Sequence, residues 1–389
     1  MLLVARNLNV SDFGVFSAVT NLIVITISLT DLGIASGVVN FVSEKLSKGE
    51  KEPAREYIKA AFLTRLTVSF IFSLAIFLAA GFISPTLLAT PDRKMAFWVA
   101  AISLAMAPSM LLPYVLQAQK RFFASVASDA SFYISRLVFV FALLLLGSLN
   151  LSGFLMAFLF GAALGGSFGL ALVSSNFLKS KPPKSVYQKL LGFSGWLGVN
   201  RIISSVAGRL DVQMLAVLAG SVVTGLYSIP SRLAGFIVVL ASSFSSVLAS
   251  RLAGFNDKEK ERTYILKATL ALVPIAVAIG VWVAFARPFI VILFGDKYLS
   301  AVPVFQVLAV SMIPFLFTVP SVTAAIYSLK KPIFIGAFSF FQLAFVLVMN
   351  LFLIPKYGAF GPAITYGALN SILAIYSWSI VIRYYWFSK

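Results

Sequence analysis

The sequence predicts an all-α protein that crosses a membrane many times. Residues 137–178 form a stretch of forty-two positions without one charged side chain, and similar uncharged runs recur up to the C-terminus. Hydrophobic residues make up 60% of the chain and charged residues only 11%, which is more apolar surface than one soluble core can hide. A bilayer core of about 30 Å is crossed by roughly 20 apolar helical residues, which pair their own backbone polar groups. The runs therefore indicate membrane-spanning helices.

Eleven complete helices follow from the apolar runs and the loops between them. In the first half, the basic loop at 45–55, the pair Lys120-Arg121 and the turn at 147–150 separate successive helices. We place these helices at 11–46, 56–84, 95–118, 122–147 and 151–178. Residues 1–5 look like the tail of one more apolar helix, but five residues rise only about 8 Å.

The second half is divided in the same way. The loop at 251–262 and the pair Lys330-Lys331 are its strongest boundaries. We place helices at 187–218, 221–251, 262–286, 300–329, 332–355 and 358–385. The fold class that these runs predict is an all-α membrane protein. Either a first helix is truncated or the start is genuinely short.

Basic residues are distributed unevenly between the two sets of loops. When the loops are assigned alternately to two sides, one side holds twenty of the 31 basic residues and the other holds six. Cytoplasmic loops carry an excess of Lys and Arg, so the richer side is expected to be cytoplasmic in a cell (plasma or inner) membrane. The net charge of +18 is then explained by topology and by attraction to membrane lipids, and no nucleic-acid partner is predicted.

The two halves share short landmarks in the same order, which indicates a parallel repeat. The landmark pairs are 12–16 with 224–227, 56–60 with 263–268, and Pro108 and 119–121 with Pro320 and 329–331. Equivalent elements keep the same orientation, as in repeats about an axis along the membrane normal. The predicted domains are a lobe at 1–178, a linker at 179–186 that contains Pro182-Pro183, and a lobe at 187–389.

The chain contains neither cysteine nor histidine, which argues against an enzyme. Thiolate nucleophiles, imidazole bases and the usual zinc ligands are all missing. No catalytic residue, metal or cofactor is therefore predicted.

Several segments together resemble a known transporter family. They are 8–14, 31–34, 224–227, 293–298, 301–304 and 354–361. In order and spacing they are similar to the Wzx-type polysaccharide flippases, which export O-antigen and exopolysaccharide units, within the multidrug/oligosaccharidyl-lipid/polysaccharide exporter superfamily. The resemblance implies two six-helix lobes, so the fold class becomes an all-α membrane protein of two such lobes with the first helix largely missing. It also implies translocation of a polyprenyl-diphosphate-linked oligosaccharide to the outer leaflet by alternating access, for cell-surface polysaccharide biosynthesis. Polysaccharide polymerase or ligase proteins are the partners it implies.

Charged side chains inside the predicted helices are the candidate site residues, because a charge at the bilayer centre costs about 2.5–3.5 kcal/mol on insertion scales. With two neighbouring polar residues, the substrate-binding candidates are Arg65, Arg136, Arg201, Arg209, Arg232, Asn200 and Gln213. Their expected charge partners are Asp31, Asp129 and Asp211. Guanidinium groups bind phosphate oxygens in a planar, bidentate manner, so these arginines are predicted to line a cavity and bind the diphosphate.

Structural roles for the same residues are also open. Arg65 could snorkel to the membrane surface, and Arg136 or Arg232 could pair with an aspartate across helices. Asp31 lies just before Gly33, where a helix break or a capped turn is as consistent with the sequence as an ion site.

Other functions are considered against the flippase. A cation-coupled multidrug or metabolite antiporter of the same superfamily is the main alternative, but five embedded basic residues against three acidic ones favour an anionic substrate. A membrane glycosyltransferase or polymerase would need a larger outer loop, and a channel would need a filter-like loop.

Overall fold

The computed structural model describes residues 2–252, 254–255, 257–330 and 332–387, without the side chains of 196, 197, 200, 201 and 332. Two of the predicted site residues, Asn200 and Arg201, thus lie outside the described side chains. The regular structure of the described residues is entirely helical. In chain order the α-helices are α1 (Leu2–Asn7), α2 (Val10–Asp31), α3 (Ile34–Ser47), α4 (Lys51–Leu78), α5 (Ala80–Leu87), α6 (Lys94–Ala118), α7 (Phe122–Leu145), α8 (Leu151–Val173), α9 (Lys184–Ala207), α10 (Leu210–Leu252), α11 (Lys258–Ala271), α12 (Val273–Ala284), α13 (Ala286–Phe294), α14 (Val302–Tyr327), α15 (Pro332–Tyr357) and α16 (Phe360–Ile382).

The predicted fold class is confirmed. Within the described residues, ten helical segments are long and apolar enough to cross a membrane. The predicted number was eleven, and the difference lies at 187–251. In this region α9 is not among the ten segments. α10 is counted as one membrane-crossing segment, although Gly220 interrupts its helical backbone with φ of 79°.

Several helices that the apolar runs predict as continuous are broken. The helix expected at 11–46 ends at Asp31 and resumes at Ile34, and the one expected at 56–84 is interrupted at Ala79. Hydropathy cannot report such breaks, because an apolar residue has the same hydropathy in a helix and in a turn. The break after Asp31 is the one that shapes the candidate site.

One compact unit comprises Val15–Arg209. Its core is built around α6, where Leu112 and Leu116 are completely buried together with Val38 and Val42 of α3. α7 and α8 pack against each other along their lengths, and α9 packs on α3 and α4. This unit also contains α9, which follows the lobe boundary predicted at 179–186. That boundary stays a prediction.

The other compact unit comprises Met1–Gly14 and Leu210–Lys389. α14 is central to it and packs against α16 and α10. Buried polar side chains join these helices: the hydroxyls of Ser321 and Ser377 are 2.8 Å apart, and Asn370 Nδ2 donates to the Ser311 carbonyl at 2.9 Å. Such interhelical bonds stabilise packing in lipid, where neighbouring apolar surfaces gain no hydrophobic driving force.

The N-terminal residues are bound to the segment that follows α13. Lys297 Nζ donates to the carbonyls of Arg6 and Leu8 at 2.8 and 2.6 Å, and Arg6 Nε donates to the Leu293 carbonyl at 2.8 Å. Lys297 therefore caps the carbonyl end of α1 and Arg6 caps that of α13, where the helix dipole favours positive charge.

A second contact in this unit joins the start of α2 to α10. The hydroxyls of Ser11 and Ser221 are 2.8 Å apart. A Cβ atom added to Gly14 would lie 1.8 Å from the Ser221 carbonyl oxygen, and one added to Gly225 would lie 2.2 Å from the Val10 carbonyl oxygen. The two segments that the sequence comparison paired as repeats thus pack backbone to backbone, which only glycine permits here.

Replacing Gly33 by alanine is expected to destabilise the protein more than replacing Gly49. Both glycines adopt positive φ, +74° and +77°, which costs an L-residue about 1–2 kcal/mol. A Cβ at Gly33 would also lie 2.4 Å from the Ser194 carbonyl oxygen, whereas Gly49 has open space. Overpacking typically adds about 1–3 kcal/mol. Thermal unfolding of the purified variants in detergent measures the difference, and equal shifts would contradict the contact.

Candidate functional site

A cavity of about 190 Å³ opens in the unit Val15–Arg209 where α2 ends. Its lining residues come from α2, α3, α4, α6 and α9: Ile27, Ser28, Asp31, Gly33, Ala35, Arg65, Met110, Tyr114, Gly198 and Ser205. The polar members are a carboxylate, a guanidinium, a phenol and two hydroxyls, inside segments that are otherwise apolar. This combination makes it the candidate functional site.

The helix break after Asp31 forms one wall of the cavity. Leu32 and Gly33 have φ of 47° and 74°, so the backbone leaves the helix at Asp31 and α3 begins at Ile34. A carboxylate at the end of a helix opposes the helix dipole and requires a compensating charge. The sequence analysis left a break or an ion site open here, and the structure shows the break.

Arg65 of α4 supplies the compensating charge. Its Nη1 donates to Asp31 Oδ1 at 2.7 Å, with 3% of the arginine side chain and 17% of the aspartate side chain exposed. A charge-assisted bond of this length is about twice as strong as a neutral hydrogen bond. Arg65 therefore does not snorkel to a surface. It is buried and bound to Asp31.

Hydroxyl and amide groups join α2 to the region of α9. The hydroxyls of Ser28 and Ser205 are 2.6 Å apart, and Asn21 Nδ2 donates to the Arg209 carbonyl at 2.9 Å. Asn21 and Ser28 are seven residues apart and so lie on one face of α2. These side chains, with Asp31, form a polar face on α2.

Arg136 of α7 lies in a different environment, against three aromatic rings. Its guanidinium carbon is 4.3 Å from the centre of the Phe158 ring, 5.4 Å from that of Phe132 and 5.6 Å from that of Tyr133. The side chain is half-buried, whereas Asp129 is exposed. Among the described residues, no ion pair joins Arg136 to Asp129. The aromatic faces are thus the observed neighbours of this charge.

The remaining candidates lie elsewhere. Arg209 is exposed at the turn between α9 and α10. Asp211 is buried in the other unit, where the Tyr227 hydroxyl donates to its Oδ2 at 2.8 Å, and Gln213 is buried on the same helix. Arg232 of α10 is half-buried. The structure therefore brings together Arg65 and Asp31, while the binding roles of the other residues stay predictions.

Sequence reasoning missed the polar and aromatic neighbours of these charges. Ser28 could not be distinguished from the many serines of the chain, although the seven-residue spacing from Asn21 to Ser28 was a detectable signal. Phe132 and Tyr133 precede Arg136 by four and three residues, which is the spacing of helical neighbours. Phe158 lies on α8 and left no local signal.

A bundle of membrane-crossing helices that encloses an arginine–aspartate pair in a polar cavity defines a multi-pass membrane protein of the transporter type. The family model "Polysaccharide biosynthesis protein" matches residues 1–253, and the chain belongs to this family. The resemblance inferred from the sequence is thereby confirmed.

One similar protein comes from Shigella flexneri and bears the name "Putative O-antigen transporter". It is 24% identical over 183 residues, which cover 46% of this chain and 43% of that protein. The aligned segment thus spans less than half of the relative's length.

Solved structures agree on the fold. An inward-facing multidrug resistance MATE family transporter of the MOP superfamily matches with a TM-score of 0.75 at 13% identity, covering 100% of this chain and 96% of its own. The lipid II flippase MurJ, in an inward closed conformation, matches with a TM-score of 0.74 at 14% identity, and the match covers 98% of this chain and 84% of the MurJ chain. At these identities the likeness is one of fold.

Proposed function

We propose that this protein is a flippase that moves a polyprenyl-diphosphate-linked oligosaccharide from the cytoplasmic to the outer leaflet by alternating access. The membrane is the plasma or inner membrane, with the basic loops in the cytoplasm. Three things support the proposal: the polysaccharide biosynthesis family, the O-antigen transporter relative and the fold shared with a lipid II flippase. The oligosaccharide crosses in a polar cavity while the prenyl chain stays in lipid.

The observation that carries the proposal is the environment of Arg136. Its charge lies within a membrane-spanning helix, where it costs about 2.5–3.5 kcal/mol on insertion scales. The contacts of the guanidinium with the aromatic rings stabilise it by about 0.5–2 kcal/mol. Since no carboxylate pairs with Arg136 in the described part of the chain, a phosphate oxygen would complete its interactions. A guanidinium offers five N–H donors in a planar fork that matches a diphosphate.

Arg65 has a different part in the proposed mechanism. Because Asp31 neutralises it, the pair adds little net charge to the cavity. The pair instead holds α4 against the broken end of α2 and keeps polar groups in the cavity. Arg65 is therefore proposed as a positioning residue, whereas Arg136 is proposed to contact the diphosphate.

Replacing Arg136 by glutamine is expected to slow transport about 10- to 100-fold, since hydrogen bonds to a charged group are worth about 1.5–3 kcal/mol. The measurement is the transbilayer movement of a fluorescent polyprenyl-diphosphate oligosaccharide in proteoliposomes, with the monophosphate as a second substrate. Arg287→Gln is the matched control, because Arg287 is an exposed arginine of α13. Unchanged movement of the diphosphate by the Arg136 variant would contradict the proposal.

A cation-coupled multidrug or metabolite antiporter is the second candidate function. The fold shared with a MATE transporter favours it. The same proteoliposomes distinguish the two: uptake of a cationic dye, without movement of the lipid-linked oligosaccharide by the unsubstituted protein, would select the antiporter.

A further inference from the structure

A second cavity, of about 210 Å³, lies in the unit Val15–Arg209 at the ends of α3, α4, α6 and α8. It shares no lining residue with the cavity of Asp31 and Arg65. Its lining residues are Leu46, Lys51, Ala54, Arg55, Ile58, Gln119, Val173, Ser174, Asn176 and Phe177. We refer to it as the Lys51 cavity. It lies on the side that the charge bias predicts to be cytoplasmic.

Two cations line the Lys51 cavity. Lys51 and Arg55 are four residues apart, so they share one face of the first turns of α4. Three acids nearby are already paired: Glu44 with Lys48, Glu50 with Lys45, and Glu52 with Arg55, and Glu56 does not line the cavity. In the part of the chain that the structure describes, Lys51 forms no ion pair. Lys51 is therefore available to an anionic ligand.

The electronegative carbonyl groups around the Lys51 cavity are also bound. Arg121 Nη1 donates to the Leu172 carbonyl at the end of α8 at 2.6 Å. Lys59 Nζ donates to the carbonyls of Leu178 and Ser180 at 2.8 and 2.7 Å. The C-terminus of α8 would otherwise repel an anion. These two cations reduce that repulsion without occupying the cavity.

The rest of the lining is apolar and closely packed. Ala54, Ile58 and Phe177 are nearly fully buried, and Val173 is buried beside them. The amides of Gln119 and Asn176 add hydrogen-bond donors beside the cations. The volume is below the roughly 300–1,000 Å³ of pockets that enclose drug-sized ligands. The volume and the lining therefore suit a phosphate group with a short apolar stem.

We propose that the Lys51 cavity binds the head group of an anionic phospholipid. The phosphate contacts Lys51 and accepts from the N–H groups of Arg55 other than the one bound to Glu52, and the glycerol and first methylene groups rest on Ile58 and Phe177. Basic pockets between membrane helices on the cytoplasmic side are suited to such head groups, because the cytoplasmic leaflet is negatively charged. A soluble phosphate compound would use the same cations but would gain nothing from the apolar wall. The inference goes beyond the proposed transport function and does not depend on which substrate is moved.

The test is native mass spectrometry of the purified full chain titrated with phosphatidylglycerol, phosphatidylcholine or inorganic phosphate. The variant is Lys51→Gln with Arg55→Gln. The matched control is Lys179→Gln with Lys181→Gln, which removes two exposed charges from the same side of the protein. We expect one tightly bound phosphatidylglycerol in the unsubstituted protein and in the control, bound at least tenfold more weakly by the variant. Phosphatidylcholine is expected to bind at least tenfold more weakly to the unsubstituted protein.

Equal binding of phosphatidylglycerol by the variant and the control would overturn the site. Displacement of the lipid by an equal concentration of inorganic phosphate would overturn the lipid assignment, because the apolar wall would then contribute nothing. Thermal unfolding of both variants establishes that they remain folded, and neither substitution involves a residue proposed to bind the transported substrate.

Discussion

Replacing Arg65 by alanine is expected to abolish transport and to lower the free energy of unfolding by about 3–5 kcal/mol, the usual cost of breaking a buried ion pair. The substitution leaves the Asp31 carboxylate at the end of a helix without the guanidinium that the structure places 2.7 Å away. Without this contact, α4 is no longer bound to the end of α2, where the helix break forms one wall of the cavity. The measurements are unfolding in denaturant and oligosaccharide movement in proteoliposomes.

A double-mutant cycle separates the ion pair from simple loss of packing. Asp31→Asn and Arg65→Gln are each expected to destabilise, and the doubly substituted protein is expected to be more stable than either single variant, because two neutral amides leave no uncompensated charge. If the losses in the free energy of unfolding simply added in the double variant, Asp31 and Arg65 would have no interaction energy, which would contradict the ion pair. Arg65→Lys keeps the charge and is expected to retain more stability than Arg65→Ala.

A disulfide between positions 11 and 221 is expected to stop transport until it is reduced. The structure groups Ser11 and Ser221 in one compact unit, whereas the lobes predicted from the sequence, 1–178 and 187–389, divide them. If those predicted lobes rock against each other, the two side chains separate in each transport cycle. Their hydroxyl oxygens are 2.8 Å apart, which brings the two side chains within reach of a disulfide. The chain has no cysteine of its own, so Ser11→Cys with Ser221→Cys introduces the sole thiol pair.

The chain also offers a matched control for this cross-link. Ser321 and Ser377 are likewise 2.8 Å apart, on α14 and α16, and both belong to the predicted lobe 187–389. We expect Ser321→Cys with Ser377→Cys to remain active after oxidation, while the 11–221 pair loses activity and regains it with reductant. Full activity of the oxidised 11–221 pair, with the bond verified by mass spectrometry, would rule out opening at this contact.

The fold class could be predicted from the sequence because lipid offers no hydrogen-bond partners to the backbone. Every apolar run that crosses the membrane must therefore be helical. The breaks in the helices were harder to read. Asp31 and Gly33 were a signal for one break, and Gly81 and Pro85 follow the interruption at Ala79 closely. Hydropathy does not register these residues as breaks, because the run around them remains apolar.

The candidate site was predicted as a set of charges but not as an arrangement. Arg65 and Asp31 are 34 residues apart on different helices, and their pairing depends on how α2 and α4 pack. Asp129 was an expected charge partner, seven residues before Arg136 on the same helix, yet the observed neighbours of the arginine are rings such as those of Phe132 and Phe158. Sequence spacing fixes neighbours within a helix, and only tertiary packing fixes neighbours between helices.

The bonds between the N-terminal residues and the segment after α13 bear on how the chain is made. Arg6 and Leu293 are 287 residues apart, and Lys297 reaches back 291 residues to the Arg6 carbonyl. At about 5–20 residues per second of synthesis, the N-terminal residues wait at least about 15 seconds for these partners. Until then the carbonyls of Arg6 and Leu8 lack Lys297, so this contact can form only after most of the helices have been inserted.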